Sequence, residues 1–326
     1  MTEEIIIKKS KKINDYLHFF DLGRNSLSGY IGEFDDCSLC MDVGSSFQVK
    51  DVLRYAKKNN IPLSSFKYFI PSHHHYDHNG GLWKIIDIIK EHNSEVKILT
   101  NSLTKDFLNN YENHITRAKK AYGRMVGEMH AIEDNNFKII NISEDPDNLK
   151  IIETFMVNEC EIELAILKTP GHVPDHECSI FIKDGEVDFI FLGEAAGFLQ
   201  HSTKLLTLPV SAPPLYSFKN DMETIKKLKK LKASKVGFAH YGVVVGKDNV
   251  EEILTDHEIL MKEFRARIIE YHEEKDDTRY ICEKVAPFLL SRNNIFTDGS
   301  QMSEIALYTV LQGVYGVMID LGYRDG

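Results

Sequence analysis

Residues 71–81 read PSHHHYDHNGG. Five side chains able to hold a metal ion, His73, His74, His75, Asp77 and His78, fall within six positions. The apolar run Phe66–Ile70 precedes them, and Leu82–His92 follows with Leu82, Ile85, Ile86 and Ile89 at helical spacing. That order reads as a strand, a ligand-bearing loop and an amphipathic helix. Loops at strand ends are where rigid scaffolds display functional groups. If His73 and His75 continue the extended chain, their side chains share one side and His74 faces away. Two imidazoles on one side can hold one ion, and Asp77 with His78 can hold a second. Imidazole and carboxylate donors suit zinc or iron. Gly80 and Gly81 let the backbone turn into the helix.

Such a loop needs a strand-and-helix scaffold, and the first two-thirds of the chain supply one. Ser28–Ile31, Cys37–Val43, Phe66–Ile70, Lys97–Thr100, Lys138–Asn141, Ile162–Leu167, Ser179–Ile182 and Asp188–Leu192 read as strands. Val52–Asn59, Leu82–His92 and Met222–Leu231 read as helices, and 102–135 as a weakly periodic helical stretch. Pro209, Pro213 and Pro214 make 207–220 a stiff loop. Beyond about residue 247 strand patterns stop. Asn249–Glu274, Asp277–Leu290 and Ser303–Leu321 read as helices, with Ser303 a candidate N-cap. The division expected is 1–247 as the α/β body and 248–326 as an α-helical extension.

Composition excludes several classes. The 326 residues carry a formal net charge of −10, which disfavours a dedicated nucleic-acid binder. No apolar run reaches the ~20 residues of a membrane span, and no signal peptide is visible at the N-terminus. The five cysteines are scattered, which fits reduced thiols and a cytoplasmic location. Cys37 and Cys40 form a CxxC inside an apolar run with no second CxxC, so they read as buried strand residues. The lysines at 226, 227, 229 and 230 read as a solvated helix face rather than an anion site.

Three later segments add candidate ligands: His172 in TPGHVPDH, Glu194 in FLGEAAG and His240 in FAHYG. Each follows an apolar run, so each sits just past a strand end. The order HxHxDH, TPGHxxxH, GE, AHYG resembles the metallo-β-lactamase-fold hydrolase superfamily, most closely its glyoxalase II-like branch, over about residues 25–245. The turn Asp42–Val43–Gly44 matches that superfamily's early Asp-x-Gly. The resemblance implies an α/β, four-layered αββα sandwich with metals at one edge, here with a helical C-terminal extension. It also implies that His73, His75 and His172 bind one divalent ion, that Asp77, His78 and His240 bind a second, and that Glu194 bridges them. Two ions per chain are expected, zinc ahead of iron. Relatives usually carry Asp at the bridging position. Glutamate adds a methylene, so a single-ion site or a changed metal preference stays open. His74 matches a variable position and is expected to face outward or to support a ligand.

The function expected is hydrolysis of a small ester- or thioester-like substrate by metal-bound hydroxide. Asp77 would orient the nucleophile, and Tyr76, His176 or Tyr241 would steady a developing oxyanion. A phosphodiesterase or ribonuclease, an iron-dependent oxidoreductase and a ligand sensor without turnover are the competing readings. The expected partner is a small molecule, with no nucleic acid and no membrane. Ser303–Leu321 is apolar around much of its circumference, which suits burial on the body, a roof over the metal cleft or a homodimer contact.

Overall fold

The computed structural model describes residues 4–23, 27–199, 203–292 and 304–326, with side chains from residue 309 in the last stretch. Two seven-stranded sheets form the centre. In chain order the strands are β1 (Ile6–Ile7), β2 (Lys11–Lys12), β3 (Leu17–Leu22), β4 (Leu27–Glu33), β5 (Ser38–Met41), β6 (Phe66–Ile70), β7 (Lys97–Thr100) and β8 (Phe137–Ile139). There follow β9 (Ile151–Val157), β10 (Cys160–Lys168), β11 (Glu177–Lys183), β12 (Glu186–Gly193), β13 (Phe198–Leu199), β14 (Thr207–Leu208), β15 (Lys235–Phe238) and β16 (Gly242–Val245). The first sheet runs β2-β3-β4-β5-β6-β7-β8 and the second β1-β16-β15-β12-β11-β10-β9, while β13 and β14 make a separate ribbon. The helices are α1 (Val49–Lys58), α2 (Tyr76–Asn79), α3 (Leu82–Lys90), α4 (Ser102–Asn109), α5 (Glu112–Tyr122), α6 (Phe218–Lys230), α7 (Lys247–Glu274), α8 (Thr278–Leu290) and α9 (Glu304–Asp320).

Four apolar layers of contact explain the stacking. Leu82, Ile85, Ile86 and Ile89 of α3 and Val49, Val52 and Ala56 of α1 close over the outer face of the first sheet. The sheets meet through Tyr30, Met41, Ile70, Ile166, Phe181 and Phe191. Ile225 and Leu228 of α6, with Val250, Ile253 and Leu254 of α7, cover the second sheet. The far half of α7 packs Leu260, Met261, Phe264 and Ile268 against α8 and α9. The result is the αββα sandwich with added C-terminal helices. Among the described residues no helix is long and apolar enough to cross a membrane.

Most expected elements appear, and the departures have physical causes. The helical stretch over 102–135 is two helices, α4 and α5, and it ends where Gly123 takes φ +57°. Strands β1, β2, β3, β9, β13, β14 and β16 have no counterpart among the strands that the sequence pattern predicts. β9 is a sheet edge with Ile151 and Met156 exposed, and β16 is only four residues long. The 207–220 loop contributes Thr207–Leu208 to the ribbon and ends at Ser217, which caps α6. Ser303 lies outside the described residues. Cys40 lies in β5 and Cys37 just before it; both are free and buried, and burial pushes the Cys37 thiol up to about 12. On α6, Lys229 faces Glu251 and Glu258, and Lys230 sits 2.9 Å from Asp147, so that charge is used on the surface.

Tyr30 ties the sheets together. Its fully buried hydroxyl, on β4, lies 2.9 Å from the Phe238 carbonyl and 3.0 Å from the Gly242 carbonyl, which flank the hairpin holding His240. Tyr30→Phe leaves both carbonyls without this donor, and the expected loss of stability is about 1–3 kcal/mol by urea unfolding.

Candidate metal centre

The first sheet delivers the ligand loop. After β6 the backbone bends through 72–74, and His75, itself extended, is the N-cap of α2, which begins at Tyr76. Asp77 and His78 then lie in the single turn of α2. The rings of His73 and His75 are 4.6 Å apart, and those of His73 and His78 are 4.7 Å apart. The second sheet brings the other groups to the same edge. His172 follows β10, Glu194 follows β12 and His240 follows β15. A Cβ at Gly193 would come within 2.6 Å of His176 Nε2, and the residue takes φ +54°, so this turn before Glu194 needs glycine.

Glu194 is the meeting point. Its Oε2 lies 2.7 Å from His172 Nε2, 3.3 Å from His73 Nε2, 3.5 Å from His78 Nε2 and 4.0 Å from His75 Nδ1. Its Oε1 lies 3.4 Å from His240 Nε2. Asp77 Oδ2 is 3.4 Å from His78 Nε2. Three compact donor groups result: His73, His75, His172 and Glu194; Asp77, His78 and His240; and His74, His75 and His114, which shares His75 with the first. Burial alone would raise Glu194, but His172 and His78 outweigh it and hold its carboxyl well below the usual range. Burial drives His73 and His75 well below the ordinary imidazole value. Burial opposes protonation of His78 too, yet Asp77 and Glu194 carry it well above.

The donor set fits divalent metal. The Nε2 atoms of His73 and His78 are buried and make no hydrogen bond, which leaves polar atoms in need of a partner. The opposite ring nitrogens are held from behind. His172 Nδ1 donates to the Val210 carbonyl at 2.6 Å, which leaves Nε2 turned into the centre. His73 Nδ1 lies 2.9 Å from Ser72 Oγ, whose hydroxyl donates to Asp42 Oδ2 at 2.8 Å. Asp42 Oδ2 also sits 3.4 Å from His78 Nδ1. The Asp42 turn, at φ +52°, further holds α2 through bonds from the Val43 and Gly44 amides to the His78 carbonyl. Such outer contacts fix ligand tautomer and ring direction.

The remaining candidates divide. His74 does not face outward. It is buried, its Nδ1 lies 2.8 Å from Asp175 Oδ1, and its ring stacks on Phe107. His176 is a correction to the oxyanion reading. It is fully buried, its Nδ1 contacts Thr169 Oγ1 at 2.8 Å, and its Nε2 accepts the Glu194 amide at 3.1 Å. With both nitrogens occupied, it holds the Glu194 backbone and cannot reach a substrate. Burial lowers its pKa to about 3, which keeps Nε2 free to accept. Tyr76 is half-buried beside His114 and Tyr122. Tyr241 sits at the tip of the β15–β16 hairpin, its ring 6.1 Å from that of His240. Sequence reasoning missed His114, which stacks on His75 at 4.9 Å and accepts the Tyr76 amide at 3.1 Å. It also missed Ser72, Asp175 and the Val210 carbonyl. Ser72 adjoins the ligand motif, whereas His114 lies in a stretch with no motif around it.

The model of the Metallo-beta-lactamase superfamily matches residues 30–241. The metallo-beta-lactamase fold-containing protein ST1585 of Sulfurisphaera tokodaii is 26% identical over 203 residues, 60% of this chain and 70% of that protein. The crystal structure of ST1585 from Sulfolobus tokodaii superposes with a TM-score of 0.59 at 20% identity, covering 93% of this chain and 98% of that one. BJP-1, a subclass B3 metallo-beta-lactamase of Bradyrhizobium japonicum, gives 0.54 at 14% identity over 80% of this chain and 94% of its own. With the family model covering most strands of both sheets and every donor of the centre, this chain belongs to the metallo-beta-lactamase superfamily.

Proposed function

We propose that the chain is a dinuclear metal-dependent hydrolase of a small ester or thioester, near the glyoxalase II-like branch. The observation that supports this most is the Glu194 carboxylate, one oxygen beside the first donor group and the other beside His240 of the second. His73, His75 and His172 would hold one ion, Asp77, His78 and His240 the other, and Glu194 both. Imidazole and carboxylate donors without thiolate suit zinc, and iron second. Divalent ions in these positions would lower the pKa of water towards about 7 and polarise a carbonyl oxygen.

The chain's own groups supply the rest. Asp77 has the more exposed side chain of the two carboxylates, 32% against 5% for Glu194, so it can meet both water and substrate. It orients the attacking water and accepts its proton. Tyr76 and Tyr241 flank the ligands as candidate donors to a developing oxyanion. Burial, the largest cause, raises the Tyr76 hydroxyl, so it stays protonated and able to donate at neutral pH. A net charge of −10 favours a small-molecule substrate over nucleic acid, and the free cysteines suit a cytoplasmic enzyme.

Two sets of variants test this reading. His75→Ala and His78→Ala should each lower bound metal by about one equivalent per chain and cut thioester hydrolysis at least about a hundredfold. Metal analysis beside a thioester panel measures both, and full activity in both variants would refute the proposal. One iron per chain with oxygen uptake, in place of two zinc, would favour the oxidoreductase. Asp77→Asn should lower kcat by about a hundredfold or more while the ion at His73, His75 and His172 stays bound. Unchanged kcat would remove Asp77 from the chemistry.

A further inference from the structure

The Val210 carbonyl that orients His172 belongs to a loop with little structure of its own. Val210 O accepts the Ala212 amide at 2.9 Å and the His172 Nδ1–H at 2.6 Å. What fixes that loop from outside is α9. Ser211 is fully buried, and its Oγ donates to the Gly313 carbonyl at 2.9 Å. One position in α9 admits the loop backbone directly: a Cβ at residue 316 would lie 1.9 Å from Ser211 O and 2.8 Å from Ser211 C. At residue 313 the nearest atom to a Cβ would be 3.4 Å away, an ordinary contact. Glycine is a poor helix former, so its place at 316 needs a reason, and the close approach of Ser211 provides it. The far end of the loop is held as well, since the Phe218 amide donates to Asp320 Oδ1 at 3.2 Å.

The same helix also contacts the end of α5. Tyr122 donates to Gln312 Oε1 at 2.5 Å, and the Tyr122 ring lies 6.3 Å from Tyr76, the residue before Asp77. The helix thus bears on the loop behind His172, while its described residues contribute no ligand to the centre.

We infer that α9 is a positioning element of the metal centre, with Gly316 seating the Ser211 carbonyl so that the adjoining Val210 carbonyl fixes His172 with Nε2 inward. This rests on His172 being a metal ligand and is independent of the substrate. A bulkier residue at 316 pushes the loop away from α9, and the acceptor for His172 Nδ1–H moves with it. His172 then loses its fixed tautomer and ring direction, which costs metal affinity rather than chemistry.

The test is Co2+ titration of the metal-free full chain, followed by visible absorption and by competition with a chelator. Gly316→Ala should weaken Co2+ binding about tenfold or more and change the absorption bands. Gly313→Ala makes the same chemical change three residues earlier and should stay within about twofold of wild type, because its Cβ meets only ordinary contacts. Ser211→Ala removes the bond to Gly313 and should weaken binding a few fold. A merely structural α9 would lower the melting temperature of the metal-free variants and leave affinity and spectrum unchanged. Folded Gly316→Ala with wild-type affinity and bands overturns the inference. If Gly316→Ala does not fold, Ser211→Ala decides, and wild-type affinity in it overturns the inference equally. A wild-type chain that takes up no Co2+ overturns both this and the ligand assignment. One that binds Co2+ normally but hydrolyses no ester sinks only the hydrolase reading.

Discussion

A carboxylate 5% exposed and surrounded by imidazoles is the constraint on which the centre turns. Glu194 faces His73, His78, His172 and His240 within 3.5 Å. A buried anion is costly unless positive charge and hydrogen bonds compensate it. His73 and His75, which burial keeps neutral, add ring nitrogens to the centre but no positive charge. A divalent cation among these donors would compensate the carboxylate and the ring nitrogens together. The surroundings are arranged for that outcome. Ser72 and Val210 occupy the outer nitrogens of His73 and His172, Asp42 stands beside that of His78, and in each case Nε2 is left pointing inward.

Asp42 shows how the fold is committed to the site. Its Oδ1 accepts the Ser72 amide and the Asn79 side-chain amide, and its Oδ2 accepts the Ser72 hydroxyl. One buried carboxylate therefore joins the end of β5 to both ends of the ligand loop. The second sheet has a matching device in His176, which bonds the Glu194 amide on one side and Thr169 on the other. Each sheet fixes its own share of the donors, and Tyr30 holds the sheets in register near His240.

Much of this was legible in the sequence because ligand geometry is local. His73, His75, Asp77 and His78 lie in one loop, so their spacing alone predicts a shared site. Glu194, His172 and His240 are remote in the chain, and only their position after strands connects them. Groups that act through a backbone atom or a single hydroxyl left no pattern to read. Val210 contributes a carbonyl, which every residue has, and Gly316 contributes the lack of a side chain. His176 misled for the opposite reason. Its place in TPGHVPDH suggests chemistry, yet the fold turns it inward to hold the Glu194 amide. Edge strand β9 escaped because its exposed Ile151 and Met156 break the alternation of a half-buried strand.

The most direct test of the central claim is anomalous diffraction across the zinc and iron edges from crystals of the chain purified without chelators. The account predicts two peaks, one among His73, His75 and His172 and one among Asp77, His78 and His240, with the Glu194 carboxylate touching both. A peak elsewhere, or ions at these donors with Glu194 turned away from them, would contradict it.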